Sequence, residues 1–148
     1  MFKKILVPTD GSNEATAAGR EAIELAKLHG ASVIAFHVAP PFQRDVFEDF
    51  MVSPQTTRES WQAGMRLVAD RCFKGLKETA HTKGVSFSTD IAYDNRPADA
   101  IGAAVKAHDC DLIVMGPRGR SGVADYLLGS VTLRVLAATR IPVLVHRA

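Results

Sequence analysis

Short apolar runs alternate along the chain with longer stretches of helical period. Ile5-Leu6-Val7 and Leu112-Ile113-Val114-Met115 are uninterrupted apolar runs, as expected of strands that helices cover on both faces of a sheet. Between such runs, apolar residues recur every three or four positions, as in residues 13–29, which Gly30 follows. This alternation predicts repeated βα units and a mostly parallel sheet.

The same pattern gives the approximate bounds of each predicted element. Strands are predicted at residues 4–9, 32–38, 85–92, 112–115 and 143–145, and helices at residues 13–29, about 58–83, from Pro97 to about His108, and about 130–138. Residues 43–57 show no sustained period, so a long loop is predicted there.

The order of the strands follows from the character of each run. Residues 85–92 alternate apolar and polar side chains, which suits an edge strand with one wetter face. With the two fully apolar strands in the middle, right-handed crossovers lead to an open five-stranded parallel sheet of order 3-2-1-4-5 with helices on both faces, a Rossmann-like α/β fold. Such sheets bind ligands where the strand order reverses, so Asp10-Gly11-Ser12 and Gly116-Pro117-Arg118-Gly119 should lie together.

Composition and charge narrow the class of protein. With 148 residues, 47% hydrophobic and 23% charged, the chain is expected to form a single globular domain over residues 1–148. Two cysteines do not suggest a disulfide framework. Neither a signal peptide nor a membrane span is predicted, so we expect a cytoplasmic protein with no membrane partner. Eighteen basic and 16 acidic residues are mixed along the chain, which argues against nucleic acid as a partner.

The glycines after the fourth predicted strand suggest a phosphate site. Gly116 and Gly119 are followed, after nine further residues, by Gly129-Ser130 at a predicted helix start. Glycines let the backbone approach a ligand closely, and the N–H groups of a helix start attract anions. Ser130 could also cap that helix, and Arg118 and Arg120 would add positive charge. The alternative is that these glycines only shape a connecting loop.

Taken together, these motifs resemble the universal stress protein family over essentially the whole chain. The resemblance lies in G-x-x-G-x9-G-S after an apolar strand, in Ile5-Leu6-Val7-Pro8-Thr9-Asp10 and in Pro142-Val143-Leu144-Val145. Family members with this glycine pattern bind ATP, so the resemblance implies ATP as the ligand, with magnesium. It places Pro8, Thr9, Asp10 and the backbone of Val38 beside the adenosine, and Met115, Gly116, Arg118, Gly119, Gly129, Ser130 and Val131 around ribose and phosphates.

Two departures and one ambiguity qualify this assignment. Pro117 lacks a backbone N–H where a donor is common, and Asp94-Asn95-Arg96 replaces a glycine often found at that turn. Asp10 could accept hydrogen bonds from ribose hydroxyls or hold magnesium through water, but it could instead cap the helix that begins near Asn13.

Other kinds of site find no support in the sequence. There is no G-K-[ST] ending of a P-loop and no G-x-G-x-x-G after the first strand. Neither a catalytic triad nor a set of metal ligands is predicted, because the five histidines are scattered. Three hypotheses stay open: an ATP-binding stress or signalling protein, a slow ATPase or phosphotransferase using the same pocket, and a nucleotide-free interaction protein.

The final strand predicts a homodimer. Val143-Leu144-Val145 would lie at an edge of the sheet without a charge to keep another chain away. Two such strands can pair antiparallel about a twofold axis, and the family resemblance implies the same surface.

Overall fold

Five parallel strands form one sheet in the computed structural model, which describes residues 1–43, 55–120 and 127–147. The strands are β1 (Lys4–Pro8), β2 (Ser32–Ala39), β3 (Phe87–Tyr93), β4 (Leu112–Met115) and β5 (Val143–Val145), and the helices in the described part are α1 (Asn13–His29), α2 (Arg58–Lys83), α3 (Pro97–His108) and α4 (Ser130–Ala138). Their order is β3-β2-β1-β4-β5, so the predicted fold class is confirmed. The predicted loop at residues 43–57 lies largely outside the described residues.

Strand ends differ from the prediction by one or two residues. The strand predicted from Val85 begins at Phe87 because the N–H groups of Gly84 and Val85 bond back to the last turn of α2, at His81 and Ala80. At the other end of the sheet, β1 stops at Pro8 and β2 continues to Ala39.

Two hydrophobic layers enclose the sheet, one on each face. Ile5 and Val7 of β1 point towards α1 and α2, whereas Leu6 points towards α3 and α4. All three side chains are completely buried, as alternation along a covered strand requires. Helices therefore cover both faces, and β1 contributes to both cores.

Local signals fix where the helices begin and end. The Ser12 hydroxyl accepts a hydrogen bond from the Ala15 N–H and so caps α1. Gly30 and Gly84 follow α1 and α2 with φ of +67° and +70°, a conformation that L side chains rarely adopt. The helix predicted at residues 13–29 therefore ends at Gly30 as expected.

We expect the same substitution to have opposite effects at Gly75, inside α2, and at Gly84, which follows it. A Cβ would meet nothing within 4 Å at Gly75 or Gly84, so only backbone preference distinguishes the two positions. Gly84→Ala should lower the free energy of unfolding by about 1 kcal/mol because its φ is positive, and Gly75→Ala should raise it by up to about 1 kcal/mol inside the helix. Urea unfolding measures both, and two changes of the same sign would contradict this prediction.

Candidate functional site

A cavity of about 700 Å³ opens at the carboxyl ends of β1, β2 and β4. The two polar junctions predicted to meet there do meet, since the Arg120 N–H donates to Asp10 Oδ2 at 2.9 Å. Its lining includes every residue that the family resemblance selected: Pro8, Thr9, Asp10, Val38, Met115, Gly116, Arg118, Gly119, Gly129, Ser130 and Val131. The sequence thus located the walls of the cavity, while ligand binding by these residues stays a prediction.

Asp10 connects the end of β1 to the loop after β4. Its Oδ1 accepts from the Ser12 N–H at 2.9 Å, and its Oδ2 accepts from the Arg120 N–H. The alternative role as a helix cap is wrong, because the Ser12 hydroxyl caps α1. Asp10 instead holds a loop from 110 residues further along the chain.

The hydrogen bonds also change the titration of Asp10. Burial by itself raises the pKa of this carboxyl, but the bonds from Ser12 and from the Arg120 N–H together bring the pKa below its ordinary value. The ionised carboxylate therefore stabilises the fold above the unfolded pKa of 3.8. That contribution disappears as the pH falls through the lower folded pKa.

Three glycines of the loop lie where a Cβ would come within 2.7 to 3.2 Å of other protein atoms. A Cβ on Gly119 would stand 2.7 Å from Asp10 Oδ2, and one on Gly129 would stand 3.0 Å from Arg118 Cβ. At Gly116 it would approach the backbone of Glu14 to 3.2 Å. The glycine spacing therefore has a packing reason within the loop, in addition to any ligand that it admits.

The first turn of α4 forms another wall. Gly129 is the N-cap residue and no side chain caps the helix, so the expectation that Ser130 caps it is wrong: Ser130 is the first helical residue. The N–H groups of Ser130, Val131 and Thr132 have no partner inside the helix, as at every helix start. Donors of this kind attract anions.

Two hydrogen bonds tie this helix start to the end of β4. The Gly129 N–H donates to the Pro117 carbonyl at 2.8 Å, and the buried Thr132 hydroxyl donates to the Gly116 carbonyl at 3.1 Å. Thr132 was not predicted as a site residue. The signal that could have identified it is the presence of a polar residue on the buried face of α4.

The two arginines of the loop differ in their surroundings. Arg118 Nη2 lies 2.5 Å from Glu14 Oε1 of α1, and the two side chains are 14% and 29% exposed. The positive charge expected from Arg118 is thus offset by a carboxylate. The Arg120 side chain extends over the residues that follow β1: its Nη2 would lie 3.1 Å from a Cβ added to Gly11.

Apolar and aromatic residues that the sequence analysis did not select complete the lining. Phe36 and Ile101 belong to the same buried cluster as Met115, and this apolar side is suited to a flat ring. His37 lines the cavity too, and its Nδ1 lies 2.9 Å from the Thr9 carbonyl, to which it donates. Phe36 and His37 reach the site through strand pairing, and Ile101 through the packing of α3 on the sheet, so the sequence carried no local signal for them.

Metal ligands and membrane spans are not found in the described ranges. Within residues 1–43, 55–120 and 127–147, no three His, Cys, Asp or Glu residues are grouped so that they could hold a metal ion. Among the helices of that part of the chain, none is long and apolar enough to cross a membrane.

Comparison with known proteins gives one consistent family. The model of the universal stress protein family matches residues 1–147. Universal stress protein MJ0531 of Methanocaldococcus jannaschii is 35% identical over 98% of this chain and 82% of its own. The solved structure of MJ0577 from the same organism has a TM-score of 0.80 at 28% identity, covering 98% of this chain and 95% of its own.

A more distant structure carries a nucleotide. The universal stress protein of Archaeoglobus fulgidus was solved in complex with dAMP, and it matches with a TM-score of 0.67 at 20% identity, covering 98% of this chain and 97% of its own. At this identity the likeness concerns the fold.

Proposed function

Because this chain belongs to the universal stress protein family, we propose that it binds ATP in the cavity between β1 and β4 and acts in stress response or signalling. One observation carries the proposal: glycines that follow a buried strand and a helix start without a side-chain cap line the same cavity of about 700 Å³. This volume lies within the range of roughly 300–1,000 Å³ typical of small-molecule sites.

Different sides of the cavity suit the adenine, the ribose and the phosphates of ATP. The apolar side formed by Phe36, Val38 and Ile101 suits the adenine ring. Asp10 lines the same cavity, and we propose that it accepts hydrogen bonds from the ribose hydroxyls. The N–H groups at the start of α4 suit the phosphates. The dAMP complex of the A. fulgidus protein agrees with an adenine nucleotide.

Magnesium would enter with the phosphates. Asp10 is a carboxylate that lines the cavity, and one carboxylate together with substrate phosphates is a common Mg²⁺ environment. When bound, the ion would offset phosphate charge, while Asp10 would hold it directly or through water.

The direct test is to identify what the protein binds. Nucleotide released from the purified protein should be ATP, and calorimetry on the emptied protein should show ATP binding that magnesium strengthens. GTP serves as the matched control, since it differs only in the base. Protein that carries no nucleotide and gives no heat with ATP would favour the nucleotide-free interaction protein.

We expect any hydrolysis to be slow. Asp10 has a lowered pKa, and both of its oxygens already accept hydrogen bonds, so it is a weak general base. Phosphate release from the parent should stay well below the roughly 1–100 per second of kinases, with Gly129→Val measured in parallel to subtract contaminating ATPase. Turnover in that range would instead support the ATPase or phosphotransferase hypothesis.

We also propose a homodimer joined through β5. This strand is at an edge of the sheet and its three residues are only partly buried, which leaves apolar surface and backbone groups for a second copy. Light scattering should show a dimer for the parent and a monomer for Val145→Asp and Leu144→Asp. Leu67→Asp, on an exposed position of α2, is the matched control and should stay dimeric. A monomeric parent, or dimers of both β5 variants, would contradict the proposal.

A further inference from the structure

An ion pair joins the first turn of α1 to the glycine loop. Glu14 Oε1 and Arg118 Nη2 are 2.5 Å apart, and residue 118 lies 104 positions further along the chain. Both side chains are mostly shielded from solvent, so the pair is screened less than an ordinary surface pair. Glu14 is in addition an acid in the first turn of α1, where the helix dipole favours a negative charge.

The position of Arg118 is determined by the protein on two sides. Gly129 packs against it so closely that a Cβ there would lie 3.0 Å from Arg118 Cβ and 3.1 Å from its Cα. On the other side, Glu14 engages the guanidinium. The arginine next to the proposed phosphate site therefore already has an anionic partner.

Charged side chains of both signs lie at this end of the cavity in the described part of the chain. Asp10 and Glu14 contribute two negative charges, and Arg118 and Arg120 contribute two positive ones. A phosphate chain that enters must compete with the Glu14 carboxylate for Arg118, because guanidinium binds carboxylate and phosphate with the same fork of donors.

We propose that Glu14 is a specificity-determining residue that keeps Arg118 from pairing with phosphate and thereby lowers affinity for nucleotides that carry several phosphates. This inference rests on the proposed nucleotide binding. Glu14 acts through Arg118, so it is a positioning residue. The effect grows with the negative charge of the ligand and vanishes for adenosine.

Calorimetry with ATP and with adenosine separates this role from a structural one. Glu14→Gln preserves the shape of the side chain and removes its charge. We expect this variant to bind ATP about tenfold more tightly, because the charge of Arg118 at this partly shielded site then acts on the phosphates and not on a carboxylate. Adenosine affinity should change by less than about twofold, because adenosine has no charge to meet Arg118. Glu21→Gln, the same charge change two turns along α1, is the matched control and should bind ATP as the parent does.

The double variant tests whether Arg118 carries the gain. In Arg118→Gln/Glu14→Gln, the tenfold increase in ATP affinity expected of Glu14→Gln alone should disappear. The inference is overturned if Glu14→Gln binds ATP no more tightly than the parent, if adenosine binding improves equally, or if the double variant keeps the gain. Should Glu14→Gln not fold, Glu14→Asp withdraws the carboxylate by one methylene and should shift ATP affinity in the same direction.

Failure of the inference can be told from failure of the proposed function. A parent protein that binds neither ATP nor adenosine overturns the proposed function. A parent that binds ATP, with Glu14→Gln unchanged, overturns the role of Glu14 alone.

Discussion

Gly129→Val should reduce ATP affinity by more than about a hundredfold, because several phosphate contacts worth roughly tenfold each would be lost together. Even a Cβ at this position would stand 3.0 Å from Arg118 Cβ and 3.6 Å from the Pro117 carbonyl oxygen, and a branched side chain needs more room. The loop must then move away from the start of α4, which separates Arg118 and Gly119 from the N–H groups of Ser130, Val131 and Thr132. Calorimetry with ATP measures the loss.

The fold should survive this change. Gly129 has φ of −69°, which valine adopts without strain, and α4 can still begin at Ser130. Gly75→Val is the matched control, since its Cβ would meet nothing within 4 Å, and it should bind ATP as the parent does. If Gly129→Val has the parent's affinity and circular dichroism spectrum, the loop is only a connector and the nucleotide proposal is wrong.

Asp10→Ala should weaken ATP binding by about ten- to a hundredfold, the range for losing one charge-assisted hydrogen bond. Two effects add in the same direction: the ribose loses an acceptor, and the Arg120 N–H loses the carboxylate that holds the loop. Asp10→Asn separates them. Its amide has one oxygen for two donors, so one of the bonds from Ser12 and Arg120 must be lost.

A double-variant cycle isolates the part that runs through the loop. Gly119→Ala places a Cβ 2.7 Å from Asp10 Oδ2, so it should disturb the same hydrogen bond and weaken ATP binding. Asp10→Ala removes the colliding atom, and the double variant should therefore bind about as well as Asp10→Ala alone. Additive losses would mean that Gly119 meets the ligand and not the Asp10 carboxylate.

The sheet could be predicted because burial leaves a clear pattern in the sequence. Ile5-Leu6-Val7 has no polar interruption, since helices cover both sides of β1. The third predicted strand alternates apolar and polar side chains, and β3 lies at an edge of the sheet. Together with the rule of right-handed crossovers, these two signals suffice to predict the strand order and the proximity of Asp10 to the loop after β4.

The details of the site could not be predicted because they depend on distances between remote segments. Nothing near Glu14 or Arg118 in the sequence indicates that they pair, as 104 positions separate them. Serine is a common N-cap, which favoured Ser130 in that role, yet the helical hydrogen bonds begin one residue earlier, where the Leu133 N–H donates to the Gly129 carbonyl. The collision between a Cβ on Gly119 and Asp10 is likewise visible only in three dimensions.

The central place of β1 in the sheet bears on how the chain folds during synthesis. β1 pairs with β2 on one side and with β4 on the other, and β4 begins only at Leu112. Since a chain leaves the ribosome from its N-terminus, β1 has an open, apolar edge until more than two thirds of the residues have been made. An open edge of this kind can pair with another chain, so the nascent protein passes through a stage in which aggregation competes with completion of its sheet.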